Sequence, residues 1–207
     1  MTPTLDPSKM TPMMAQWHSC KQLAKDAVLF FRMGDFYEAF YDDAELVARE
    51  LELSLTQRQG TPMAGVPHHS AESYIDRLVA KGYRVAVAEQ VEDPKQAKGL
   101  VKREIVRVVT PGTALSTNLV SEKSNNYFAA LCTAGQVFGL AFVDLSTAEF
   151  RVIEFYEARD LLNELARIHP SECLVSRRFR ERYGVLLDEL RSQNPFALNV
   201  EEDWHFE

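Results

Sequence analysis

Residues 27–32, AVLFFR, constrain the fold more than any other stretch. They form a continuous apolar run bounded by Asp26 and closed by Gly34. A short run of this kind between turn-forming residues is expected as a buried strand. It is far below the ~20 apolar residues a membrane helix needs, and residues 137–143, the other long apolar stretch, also fall short. Whatever surrounds this strand must cover it with helices and further strands.

The flanking segments supply them. Thr11-Pro12 has the form of an N-cap followed by Pro at the first helical position, and Met14, Trp17, Cys20 and Leu23 then recur at spacings of three. After Gly34-Asp35, apolar spacing through Phe40, Ala44, Val47 and Leu51 predicts a helix over 36–51. Residues 51–56 alternate as a strand, and 57–69 (QRQGTPMAGVPHH), with two Gly and two Pro, are expected as a loop. A helix from Ser70 through Tyr74, Leu78 and Val79 should stop at Gly82. Residues 83–91 and 104–110 read as strands from β-branched content and alternation.

This first unit is therefore mixed α/β and is expected to end near Pro111-Gly112, giving a domain over 1–112. Residues 113–126 are polar and aperiodic, as expected of a linker. In a second domain, 127–207, strands are expected over 127–133, 136–145 and 149–155. A helix over 158–168, a strand over 173–176 and a helix over 178–190 follow. A three-stranded meander followed by alternating helix and strand is a ribonuclease H-like beginning, which a chain stopping at residue 207 would leave incomplete.

Net charge is −7, so the chain does not coat nucleic acid by charge alone. The charge is uneven: residues 1–115 hold 14 Lys and Arg against 15 Asp and Glu, whereas 116–207 hold 9 against 15. The first half is the better candidate for a DNA contact. Cys20, Cys132 and Cys173 are widely spaced without a C-x-x-C pair, which suits reduced thiols in a cytosol. No basic segment followed by an apolar stretch opens the chain, and a cytoplasmic, soluble protein is expected.

Phe36 directly follows Gly34-Asp35, and a ring held at an exposed corner is the device by which minor-groove proteins wedge between base steps. The alternative reading packs Phe36, Tyr37 and Phe40 together in the core. Arg58, Arg77, Lys98, Lys102, Arg103 and Arg107 are the available phosphate contacts, although the cluster over 98–107 equally suits a solvated edge strand. His68-His69 has no Cys or carboxylate at ligand spacing and reads as a loop pair. Asp144 stands where a ribonuclease H-like nuclease carries its first metal-binding Asp, with Glu149 and Glu154 nearby, so a metal-dependent nuclease is the alternative function. No G-x-x-x-x-G-K-[ST] occurs, so no ATPase activity is expected of this chain.

The stretch RMGDFYEAFYDDA (32–44) resembles the mismatch-probing segment of the MutS family of DNA mismatch-repair proteins. The likeness continues in order through SLTQR (54–58), PMAGVPHH (62–69), AVAEQVEDP (86–94), Lys98-Gly99 and VVTPGT (108–113). FVDLSTAEF (142–150) and WHFE (204–207) are similar to the start of that family's connector domain. The resemblance implies that Phe36 stacks on a mispaired base from the minor groove and that Glu38 hydrogen-bonds the same base. Met33 and Asp35 would line the contact, Arg58 would lie near the DNA backbone, and the segment carrying Pro67 and His69 would lie along the groove. Lys102 and Arg103 are assigned to the DNA-binding set as well. The segment before Pro62 is short and His68 stands where the family often has Tyr. The resemblance further implies mismatched double-stranded DNA as ligand, and a longer protein that binds ATP and Mg²⁺. That protein would form a homodimer, work with a MutL-type partner and act at the bacterial nucleoid. The isolated chain is expected to be monomeric and weak on DNA.

Overall fold

The computed structural model describes residues 11–92, 99–114 and 125–206. The chain divides into two compact units, Met1–Val109 and Thr110–Glu207.

In the first unit, α1 (Pro12–Ala24) is capped by Thr11, whose hydroxyl accepts from the Met14 amide. It leads into β1 (Val28–Met33), the buried strand expected from the apolar run. The next segment departs from expectation. Phe36–Phe40 is a strand, β2, and the helix α2 occupies only Tyr41–Leu51. Phe36 is exposed, Tyr37 buried, Glu38 part-buried and Ala39 buried, an alternation with strand periodicity. Gly34-Asp35 therefore forms a two-residue hairpin turn, with Met33 paired to Phe36 and Gly34 at φ +59°. The strand-to-helix corner lies at Tyr41, which takes a φ of +53°. That left-handed conformation is uncommon for a residue with a Cβ. Asp42 and Asp43 then occupy the first helical turn, where the helix dipole favours negative charge.

The expected strand over 51–56 and loop over 57–69 are also replaced. Leu51 ends α2, and β3 (Thr56–Arg58) and β4 (Thr61–Pro67) form a hairpin. Its turn, Gln59-Gly60, has positive φ at both residues, the type I′ requirement. α3 (Ala71–Ala80), β5 (Val85–Gln90) and β6 (Arg103–Val109) follow, as read from the sequence. The six strands lie in the order β3-β4-β2-β1-β5-β6, with β1 and β5 parallel and the other pairs antiparallel.

Central β1 is buried on both faces. Leu29 and Phe31 join Phe40, Ala86 and Ala88 against Trp17, Cys20 and Ala24 of α1. On the other face Phe30 meets the Tyr37 ring at 6.2 Å, and α2 and α3 pack on the sheet with Val47, Ile75, Leu78 and Val79 buried. Each such large side chain contributes roughly 1.5–3 kcal/mol by leaving water. Asp43 is a buried polar exception with full employment: it accepts from Lys21 Nζ at 2.8 Å and from the Leu29 amide at 2.9 Å. The amide is one that β2, having turned away into α2, does not pair.

The second unit opens with a 3₁₀ turn, Pro111–Thr113, closed by a reciprocal Thr110–Thr113 cap. Then come β7 (Tyr127–Ala134), β8 (Val137–Asp144), β9 (Glu149–Phe155), α4 (Ala158–Ile168), β10 (Glu172–Ser176), α5 (Arg177–Gln193) and β11 (Ala197–Glu201). β11 is a fifth strand that the sequence reading had not placed. The order is β11-β10-β7-β8-β9, with β10 parallel to both β7 and β11. An antiparallel meander extended by two parallel strands beside its first strand is the ribonuclease H-like arrangement expected. Leu131, Leu140, Phe142, Cys173 and Val175 pack with Leu161 and Leu165 of α4 and Phe179 and Leu187 of α5. All three cysteines are free.

Candidate nucleic-acid interface

The β1–β2 hairpin delivers Phe36 to one end of the first sheet. Its side chain is 47% exposed, whereas Tyr37 and Phe40 are buried at 7% and 0%. The alternative that packs all three rings inward thus holds for two of them only. Phe36 is fixed from both sides, paired with Met33 on β1 and with Pro67 on β4. Beside it, the Asp35 carbonyl accepts from the His68 amide at 2.8 Å, pinning the turn to the end of β4. The wedge candidate therefore projects from a rigid three-strand platform and not from a loose loop.

Glu38, two residues on, shares the face of Phe36. Opposite it on β4 stands Gly65, where an added Cβ would lie 3.7 Å from Glu38 Cγ and 3.9 Å from Phe36 Cδ1. Phe36, Glu38, Leu53, Ser54, Thr56, Met63 and Gly65 line an open recess of about 440 Å³. Burial pushes the Glu38 carboxyl above the ordinary carboxylate range, against the opposing pull of Arg58 and then Arg103. Arg58, from β3, donates to Glu38 Oε2 at 2.7 Å.

The remaining residues divide. Met33 turns inward against the α1 cluster, while Asp35 and His69 are exposed. Pro67 is partly exposed beside Phe36. Lys102 is exposed at the opposite edge of the sheet, paired with Glu104 at 2.5 Å. Arg103 does not present itself as a phosphate contact: it is 7% exposed, lies over the Phe31 ring and donates to the carbonyls of Arg32 at 2.6 Å and Val101 at 2.7 Å. Two of its donors are taken up by these carbonyls. Arg77 and Arg107 are engaged with the Leu51 carbonyl and with Glu72, and Lys98 lies outside the described residues.

Sequence reading missed Arg32, Leu53, Ser54, Thr56, Met63 and Gly65. Arg32 donates to the Gly34 carbonyl at 2.5 Å and lies over the Tyr37 ring, whose hydroxyl donates to Glu89. Alternation through Ala64 and Val66 carried the signal for β4, obscured by its flanking prolines.

Asp144, the candidate nuclease residue, is fully buried and closes the β8–β9 turn. It accepts from the Ser146 amide at 2.8 Å, the Ser146 hydroxyl at 2.7 Å and the Asn126 amide at 3.3 Å. Burial pushes this carboxyl up, but the hydrogen bonds together outweigh burial and hold it below its ordinary value. Glu149 is engaged with Tyr127 at 2.9 Å and Arg151 at 2.7 Å. Among the described residues no cluster of three or more His, Cys, Asp or Glu is arranged to hold a metal. No helix among them is long and apolar enough to cross a membrane.

Residues 11–118 match the family model of MutS domain I, and residues 126–207 that of MutS domain II. The chain belongs to the MutS family. Its similarity to individual MutS proteins is high. It is 60% identical to the DNA mismatch repair protein MutS of Protochlamydia amoebophila over 204 residues, 99% of this chain and 24% of that protein. Against the protein of the same name from Chlamydia pneumoniae, identity is 48% over 96% of this chain and 25% of the relative. With that from Symbiobacterium thermophilum it is 53%, over 83% of this chain and 21% of the relative. The chain thus spans about a quarter of the length of these MutS proteins.

Proposed function

We propose that this chain supplies mismatch recognition to a longer MutS-type repair protein, with Phe36 as the wedge and Glu38 as the group that engages the mispaired base. The observation that carries this reading is the pairing of a half-exposed aromatic ring with a carboxylate two residues on, both on one face of a hairpin held on either side by β-ladder contacts. Wedging a ring costs a few kcal/mol of unstacking, and least where a base is already poorly paired. Selectivity then follows without reading sequence, because every base has a π-face.

Glu38 supplies the second test of the base. A carboxylate near phosphates is repelled unless a base edge freed by mispairing offers a hydrogen bond. Burial shifts the Glu38 carboxyl upward, which eases uptake of a proton where a base edge offers an acceptor. Asp35, beside Phe36 in the turn, and Pro67, its ladder partner, complete the contact surface with His69, and Arg58 and Lys102 serve as phosphate contacts. The ATP and Mg²⁺ chemistry, homodimer and MutL-type partner belong in this proposal to the longer protein.

The test compares wild-type and Phe36→Ala protein, in the full-length context, on matched and mismatched duplexes at fixed salt. Loss of stacking worth about 1–3 kcal/mol should erase roughly a 5- to 150-fold mismatch preference and leave general binding in place. An unchanged ratio overturns the wedge. Glu38→Gln should narrow the same ratio and remove its pH dependence.

A further inference from the structure

Glu38 is engaged before any duplex arrives. Its ion pair with Arg58 spans 2.7 Å, with the Glu38 side chain 13% and the Arg58 side chain 43% exposed. Arg58 reaches it from β3 across β4, and the β4 residue paired with Glu38 is Gly65, which carries no side chain beside the carboxylate. A duplex seated on Phe36 would meet both partners of this pair.

We propose that Arg58 is a specificity-determining latch: it holds Glu38 as a paired carboxylate during contact with matched DNA, and releases it only where a mispaired base engages Glu38 while a phosphate takes over the guanidinium. This inference rests on the reading of Phe36 and Glu38 given above.

The energetics suit a latch that opens. The Glu38 side chain is largely buried and that of Arg58 is part exposed, so the pair opens only when both partners are taken up together, the guanidinium by a phosphate and the carboxylate by a base. A phosphate keeps the charge of Arg58 paired, but the exchange leaves Glu38 without a partner, so the base contact decides the outcome. On a matched pair no base edge compensates, so Glu38 stays on Arg58 and the guanidinium is not free to take a phosphate. Release leaves Glu38 in a buried setting that favours uptake of one proton from solvent.

Of the charges around Glu38, those of Arg58 on β3 and Arg103 on β6 reach it, while its ladder neighbours Phe31 and Gly65 carry none. Arg103 is anchored by the carbonyls of Arg32 and Val101, so Arg58 is the partner able to move.

Arg58→Met and Arg58→Lys separate this role from a plain phosphate contact. Carboxyl ¹³C NMR of Glu38 in the DNA-free chain should show its titration midpoint moving to higher pH in Arg58→Met and staying near wild type in Arg58→Lys. In the full-length protein, Arg58→Met should weaken binding to both duplexes and lower the salt slope by about one. It should also shift the pH at which mismatch preference develops upward. A wild-type midpoint in the free chain, or a wild-type pH profile of preference despite weakened binding, overturns the latch. The parent reading fails by a different result, an unchanged mismatch preference in Phe36→Ala or Glu38→Gln.

Discussion

Arg103 Nε donates to the main-chain carbonyl of Arg32 at 2.6 Å, tying the edge strand β6 to the strand that ends in the Gly34-Asp35 turn. Arg32 in turn donates to the Gly34 carbonyl within that turn. Two cations thus brace the hairpin from which Phe36 projects, each through a main-chain carbonyl.

Arg103→Met should destabilise the first domain by about 2 kcal/mol, since it leaves the carbonyls of Arg32 and Val101 without their charged donor. Urea unfolding of the chain measures this. An unchanged midpoint would mean that the buried guanidinium is not a brace.

Phe36→Ala should behave in the opposite way. The ring is 47% exposed, so its removal costs within about 1 kcal/mol of stability, unlike truncation of the buried Phe31 or Phe40, at about 3–5 kcal/mol. Thermal unfolding of the three variants side by side checks the contrast.

The Tyr37 phenol is pushed up to about 12, first by burial and then by its hydrogen bond to Glu89. A group whose folded value is raised contributes stability below its unfolded value of 10.0 and loses it as pH rises through about 12. Tyr37→Phe should therefore flatten the fall in unfolding free energy between those two values. Denaturant titrations at a series of alkaline pH values measure it, and an undiminished slope in the variant excludes Tyr37 as the cause.

Asp144→Asn should lower stability by about 1–2 kcal/mol near neutral pH, through the turn contacts with Ser146 and Asn126. Its carboxyl is held below the ordinary 3.8, so its stabilisation is complete above that value and is lost as pH falls through the lower folded one. The variant should lack that acid limb in equilibrium unfolding. Magnesium-dependent DNA cleavage by wild type, abolished by this substitution, would instead assign Asp144 a catalytic role.

Legibility from the sequence tracked how far each signal was local. The apolar run is the strand Val28–Met33 because a strand covered on both faces buries consecutive apolar side chains, and Thr11-Pro12 starts α1 through the Thr11 side chain. The segment 36–40 misled because FYEAF also continues an apolar spacing compatible with the helix that follows. Choosing between periods required a partner strand on each side, β1 and β4, and those contacts are distant in sequence. The Pro- and Gly-rich 61–67 reads as a loop until β2 and β3 pair with it. β11 is short and half-buried and acquires strand character by lying parallel to β10.

By itself the sequence determined the mixed α/β class, the family membership visible in ordered motifs, and Phe36 and Glu38 as the pair to watch. Tertiary structure decided that Phe36 faces outward while Tyr37 and Phe40 do not, that Arg103 is interior, and that Arg58 holds Glu38. The division has a physical reason. Local periodicity and turn chemistry are written in neighbouring residues, whereas the exposure of a ring and the partner of a charge depend on which strands lie beside it, and strand pairing joins positions that the chain keeps far apart.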